Sequence, residues 1–247
     1  MSEHKRDRKA VDRAIRASGV VVVMNKSHIE TPEHMVTVVK EVCAAGYIAE
    51  VTCRIDIGIL KEGMKELNAL REAGEELLLG VGSVINPEEL EACIEMGFDM
   101  IVAPANVMGG YGDGAEFVKL CQAAEIFSAP AILTPTELNY FIERDDGLIP
   151  DAIKVFPAGV HGPKGLNGLL APYVRDRHAG RIIMPTGGVN FETGPQYQEQ
   201  IGKRGFFAAL GMSAPLKIVA DEKKPGDPAT VQKALADFKA NFKPFEG

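Results

Sequence analysis

Short apolar runs punctuate this chain at residues 20–24, 47–53, 77–81, 100–102, 131–133, 152–156, 181–184 and 206–210. Val20-Val21-Val22-Val23-Met24 is the clearest of them. The runs are near-continuous rather than alternating, as expected of strands buried on both faces of a parallel sheet. Longer stretches of helical character fall between or after them, at residues 32–45, 59–73, 87–96, 115–124, 136–143 and 228–242. Four helix starts carry a short polar residue followed by proline: Thr31-Pro32, Asn86-Pro87, Thr134-Pro135 and Asp227-Pro228. The polar side chain caps the orphan N–H groups of the first turn, and proline at the first helical position lacks only an N–H that would have had no partner. Glu89 follows Asn86 by three residues and Glu137 follows Thr134 likewise, the latter as a full capping box. Eight strands alternating with helices predict an α/β fold, a (β/α)₈ TIM barrel, with an extra N-terminal helix at residues 5–17. A doubly wound open sheet is the structural alternative. It gives no reason for the polar residues that end so many of these strands.

The length of 247 residues suits one such barrel, which typically needs about 250, so a single domain over residues 1–247 is expected. Hydrophobic residues make up 46% and charged residues 25%, the balance of an ordinary folded domain. No apolar run approaches the ~20 residues of a spanning helix, and residues 1–16 lack the apolar core of a signal peptide. A cytoplasmic protein with no membrane partner is the expectation. The net charge of −7 disfavours nucleic acid, which is bound by clustered basic surface. Cys43, Cys53, Cys93 and Cys121 form no C-x-x-C pair, and the five histidines show no paired ligand spacing. Buried free thiols and no metal site are expected.

In a barrel of this kind the reactive groups sit at the carboxyl ends of the strands. Those positions hold Glu50, Thr52 and Arg54, then Ser83, Pro104, Thr134, Lys154, Thr186-Gly187-Gly188 and Gly211-Met212-Ser213. Glu50, Thr52 and Arg54 are spaced by two, so a continuing strand would project them to one face. Their structural alternative is an ion pair inside the barrel. Lys154 lies in Ala152-Ile153-Lys154-Val155-Phe156-Pro157, an apolar strand in which a lysine is rarely buried without a partner or a task. Desolvation lowers a lysine pKa, and each step down from about 10.4 toward 7–8 enlarges the nucleophilic fraction. Lys154 is therefore a candidate Schiff-base nucleophile, against the alternative of an inert lysine paired with Glu50. Thr186-Gly187-Gly188 after the seventh strand, with Gly211-Met212-Ser213 after the eighth, presents unobstructed backbone N–H groups where barrels commonly hold phosphate.

Taken in order, these pieces resemble the family of 2-keto-3-deoxy-6-phosphogluconate and 4-hydroxy-2-ketoglutarate aldolases. The matching segments are Glu50-Val51-Thr52-Cys53-Arg54, Gly80-Val81-Gly82-Ser83-Val84-Ile85-Asn86-Pro87, Ile101-Val102-Ala103-Pro104, Thr134-Pro135-Thr136-Glu137, Lys154-Val155-Phe156-Pro157-Ala158, Pro185-Thr186-Gly187-Gly188-Val189 and Gly211-Met212-Ser213. The resemblance implies a class I aldolase in which Lys154 forms the Schiff base and Glu50 shuttles protons. It implies that Arg54, with Ser83 and neighbouring backbone, holds the carboxylate of a 2-keto acid, with Thr52 and Pro104 also in the substrate site. Thr186, Gly187, Gly188 and Ser213 would hold a distal phosphate. It further implies a homotrimer that needs neither metal nor cofactor.

The chain departs from the family pattern in a longer glycine-rich segment at residues 106–114, in His161 where a glycine pair is common, and in Lys26 after the first strand. These departures bear on the substrate. Cleavage of a 2-keto-3-deoxy sugar acid 6-phosphate to pyruvate and an aldehyde leads; the same chemistry on hydroxyketoglutarate or a sulfonated sugar acid is an alternative, as is a non-catalytic barrel that binds a phosphorylated metabolite.

Overall fold

The structure is a computed structural model that describes residues 5–105 and 115–244. The glycine-rich segment 106–114 lies outside the described residues. The strands are β1 (Val20–Met24), β2 (Ile48–Thr52), β3 (Leu79–Gly82), β4 (Met100–Val102), β5 (Phe127–Ala129), β6 (Ala131–Ile132), β7 (Ala152–Val155), β8 (Ile182–Pro185), β9 (Phe207–Ala208) and β10 (Leu210–Met212). Every pairing is parallel, in the orders β10-β1-β2-β3-β4-β5 and β6-β7-β8-β9. β5 and β6 are two halves of one stave interrupted at Pro130, which has no N–H to give but whose carbonyl still accepts from Lys154 N at 2.9 Å. Likewise β9 and β10 flank Ala209, whose N–H reaches Ile183 O at 3.0 Å. A bridge from Thr186 to Gly211 helps join the two sheets. The ten segments thus make the eight staves of a closed (β/α)₈ barrel.

Around them run α1 (Arg8–Ser18), α2 (Pro32–Ala44), α3 (Ile57–Glu72), α4 (Pro87–Met96), α5 (Ala115–Ala123), α6 (Pro135–Ile142), α7 (Gly162–Leu170), α8 (Arg175–His178), α9 (Thr193–Gly202), α10 (Lys217–Asp221) and α11 (Pro228–Asn241). All four proline starts are capped as expected: Thr31, Asn86, Thr134 and Asp227 each accept an N–H from the first turn. Thr134 and Glu137 form the reciprocal capping box. α7 and α9 are absent from the sequence-based expectation because glycine and proline in GPKGLNGLL and TGPQYQEQIG weaken the helical pattern. Tertiary packing supplies what propensity lacks. Asn167 Nδ2 donates to Gln200 O at 3.0 Å, and Leu166, Leu170, Tyr197 and Ile201 are buried.

Two apolar clusters separate the inside of the barrel from its outer layer. The inner one contains Val21, Ile48, Met100, Val102, Phe127, Ala129, Ala152, Ile182, Met184 and Ala209. Val11 and Ile15 belong to it too, so α1, the expected extra helix, closes the amino end of the barrel with its apolar face. Arg71 and Asp99, both almost fully buried, form an ion pair beneath β3 that further hydrogen bonds support. The opposite end, where the strands terminate, is lined by smaller and polar side chains.

Candidate active site

Strand alternation decides what faces the axis. Ile48 and Ala152 lie in the inner cluster, so Glu50 and Lys154, two residues on along β2 and β7, project inward one step nearer the mouth. Glu50 is 3% exposed and Lys154 5%. No ion pair or side-chain hydrogen bond joins either to another described residue, and Glu50 Oε2 is buried without a partner. The inert Glu50–Lys154 pair considered from sequence is thus not formed as a direct contact. Burial pushes the Glu50 carboxyl above its ordinary range, opposed by the charge of Lys154. Burial likewise pushes the Lys154 amine below its ordinary range, opposed by Glu50. Both groups are drawn toward their uncharged forms. An amine that gives up its proton more readily than usual and a carboxyl that holds its own more tightly, facing one interior, suit a nucleophile and a proton donor.

The space for this arrangement comes from residues whose significance the strand pattern does not disclose. A Cβ on Gly82 would stand 2.1 Å from Glu50 Oε1, and one on Gly80 would stand 2.4 Å from Met100 Cε. The inward positions of β3 are therefore glycine because the Glu50 carboxylate and a methionine occupy their side-chain volume. Lys154 Nζ sits 4.8 Å from the centroid of Phe156, whose ring faces any cation formed there. The Gly80-Val81-Gly82 repeat and the phenylalanine two residues after Lys154 are the signals that point to these roles.

Arg54 departs from the expected geometry. β2 ends at Thr52, and Arg54 lies in the following turn, half-exposed, so the shared face holds for Glu50 and Thr52 and fails at Arg54. Its guanidinium pairs with Glu89, not Glu50, and Nη2 also donates to Ser83 O at 3.2 Å. Thr52 Oγ1 donates to Ser83 Oγ at 3.0 Å, which brings Thr52, Ser83 and Arg54 into one polar cluster on the rim. Pro104 is half-buried two residues past β4.

Across the mouth, Thr186 continues the inward series of Ile182 and Met184 and is buried. A Cβ on Gly211 would stand 2.3 Å from Thr186 Oγ1, so this hydroxyl faces the barrel interior with Lys154. Gly187 and Gly188 turn away with φ of 79° and 84°. Ser213, exposed, follows β10. His161 Nε2 lies 2.7 Å from Leu133 O, bridging the ends of β6 and β7, and Lys26 is exposed in the turn after β1. The four cysteines are free; Cys93 and Cys121 are buried, whereas Cys43 and Cys53 are only half-buried. No helix among the described residues is long and apolar enough to cross a membrane, and no cluster of three or more metal-ligating side chains occurs among them.

The chain is similar to several known aldolases. The KHG/KDPG aldolase of Escherichia coli (strain K12) is 28% identical over 160 residues, 64% of this chain and 65% of that protein. The match thus spans less than two thirds of that curated relative. A solved 4-hydroxy-2-oxoglutarate aldolase/2-deydro-3-deoxyphosphogluconate aldolase from TTHB1 is 28% identical, covering 94% of this chain and 98% of the other with a TM-score of 0.61. The 2-keto-3-deoxy-6-phospho-gluconate aldolase of Zymomonas mobilis ATCC 29191, at 23% identity, covers 97% of this chain and 98% of its own with a TM-score of 0.69, which shows the shared fold. A family model described as KDPG and KHG aldolase matches residues 11–204, from the plug helix through the seventh and eighth staves' connecting helix, and the chain belongs to that family.

Proposed function

We propose that this protein is a class I aldolase that cleaves a 2-keto-3-deoxy sugar acid 6-phosphate to pyruvate and glyceraldehyde 3-phosphate through a Schiff base on Lys154. One observation carries the reading: a buried lysine and a buried, unpartnered carboxylate face the same barrel interior just below its mouth. The neutral Nζ attacks the C2 carbonyl, and Glu50 protonates the departing C2 hydroxyl, leaving a protonated imine. The ionised Glu50 then removes the C4 hydroxyl proton. The C3–C4 bond breaks, its electrons pass into the imine as an enamine, and the aldehyde leaves. Protonation at C3 and hydrolysis of the imine release pyruvate and restore the amine. Because the imine itself accepts the electron pair, no metal or cofactor is called for.

The rim supplies the two ends. Arg54, Thr52, Ser83 and Pro104 are assigned to the keto-acid carboxylate. The backbone of Gly187 and Gly188, with Ser213, is assigned to the distal phosphate, while the Thr186 hydroxyl faces the reacting centre. A homotrimer in the cytoplasm is the assembly and location that go with this reading. Pyruvate release measured across phosphorylated, unphosphorylated and sulfonated keto-deoxy acids and hydroxyketoglutarate tests it. The phosphorylated acid is expected to lead, with loss of the phosphate raising KM about ten- to hundredfold for a lost charge-assisted contact of about 1.5–3 kcal/mol. Melting shifts with these ligands and no pyruvate release would make the protein a binding barrel instead.

A further inference from the structure

Two glutamates occupy the same position of two helices and do different things. Glu137, in α6, uses one oxygen for its cap: Oε2 accepts from Leu133 N, Thr134 N and Thr134 Oγ1, each at 2.8 Å. Glu89, in α4, follows Asn86, whose Oδ1 accepts Glu89 N at 2.8 Å. Glu89 Oε2 takes Ile85 N at 2.9 Å, which ties the carboxylate to the backbone. Oε1 is directed outward to the guanidinium of Arg54. The surroundings complete a clamp. Arg54 Nη2 also meets Cys53 Sγ at 2.9 Å and Ser83 O at 3.2 Å, and Ser83 holds a left-handed φ of 66°, unusual for a serine. Among the described residues its polar side-chain contacts all fall on Nη2, so Nε and Nη1 keep N–H groups for another anion.

We infer that Glu89 is the positioning residue for Arg54, holding its guanidinium at the barrel rim so that the remaining N–H groups meet the keto-acid carboxylate. The inference rests on the proposed role of Arg54. A half-exposed arginine left free would have to be ordered by the ligand, and ordering one such side chain weakens binding by about two- to tenfold. A helix-anchored carboxylate makes that ordering part of the folded protein.

The test is the pyruvate concentration for half-maximal borohydride trapping, with kcat and KM for cleavage, in Glu89→Ala, Glu89→Gln, Arg54→Ala and the Glu89→Ala/Arg54→Ala pair. Glu89→Ala is expected to raise half-saturation and KM about five- to tenfold with kcat within about threefold. Glu89→Gln, which keeps an oxygen for Arg54 or Ile85, should recover part of this and stands in if the alanine variant does not fold. The double variant should bind no more weakly than Arg54→Ala alone. Unchanged or lowered half-saturation in both Glu89 variants, or losses that multiply in the double variant, would overturn the inference while wild-type trapping still upheld the Schiff base. Absence of trapping in the wild type would overturn both.

Discussion

The two ends of the barrel each bury a pair of opposite ionisable groups, and they treat them in opposite ways. At the amino end Arg71 donates to Leu77 O, Asn68 Oδ1 and Gly97 O at 2.9–3.1 Å and pairs with Asp99, which also accepts Leu79 N at 2.8 Å. At the carboxyl end Glu50 and Lys154 are buried to a similar degree with no ion pair between them. The first pair has its desolvation offset by hydrogen bonds and is structural. The second is left short of partners, which costs stability but keeps an amine and an acid near their reactive, uncharged forms. Hydrogen-bond partners, rather than burial itself, separate the structural pair at the amino end from the pair proposed to be catalytic at the mouth.

The largest expected effect lies at the mouth. Glu50→Gln should lower kcat by about 10²–10⁴-fold, the span for loss of a general acid–base, with a much smaller change in KM. An equal loss in binding would make Glu50 a structural residue and erase the contrast. At the amino end, Asp99→Ala should leave Arg71 buried without its counter-ion and cost about 3–5 kcal/mol in urea unfolding. A loss below about 1 kcal/mol would show that the hydrogen bonds alone hold Arg71. The smallest effect is the most diagnostic. Replacing both mouth groups, as Glu50→Gln/Lys154→Met, should leave stability unchanged or raise it by up to about 1–4 kcal/mol at pH 7, although turnover is lost.

That gain carries a pH signature. The folded-state pKa of Lys154 is lowered, so the unfolded chain binds the proton more tightly, and the cost is fully present below the folded pKa. Wild-type stability should recover as pH rises from there toward the ordinary lysine value. Glu50, raised in the folded state, acts in the other sense: its burial favours folding of the protonated form, and stability falls as pH rises above the ordinary carboxylate range. The double variant should lack both slopes, which denaturant unfolding across pH would read.

Much of the fold is legible in the amino-acid sequence. The apolar runs and the four capped prolines anticipate the barrel and the starts of α2, α4, α6 and α11, because those signals are local. α7 and α9 were not legible, since their glycines and prolines are outweighed only by their packing on each other. Phe127-Ser128-Ala129, the first half of the fifth stave, lacks the β-branched residues that mark most of the others. Lys154 and Glu50 stand out in sequence as charges in apolar strands. The pairing of Arg54 with Glu89 does not, because it depends on where β2 stops and on a contact between the turn after β2 and the first turn of α4. The role of Gly82 is likewise visible only once Glu50 is seen to fill the volume its side chain would need.

The most direct test of the Schiff-base assignment is to incubate the protein with pyruvate and borohydride and locate any adduct by peptide mass spectrometry. A single reduced pyruvate adduct on Lys154, lost in Lys154→Ala while that variant remains folded, is the expected result. No adduct, or one that persists in Lys154→Ala, would contradict the assignment.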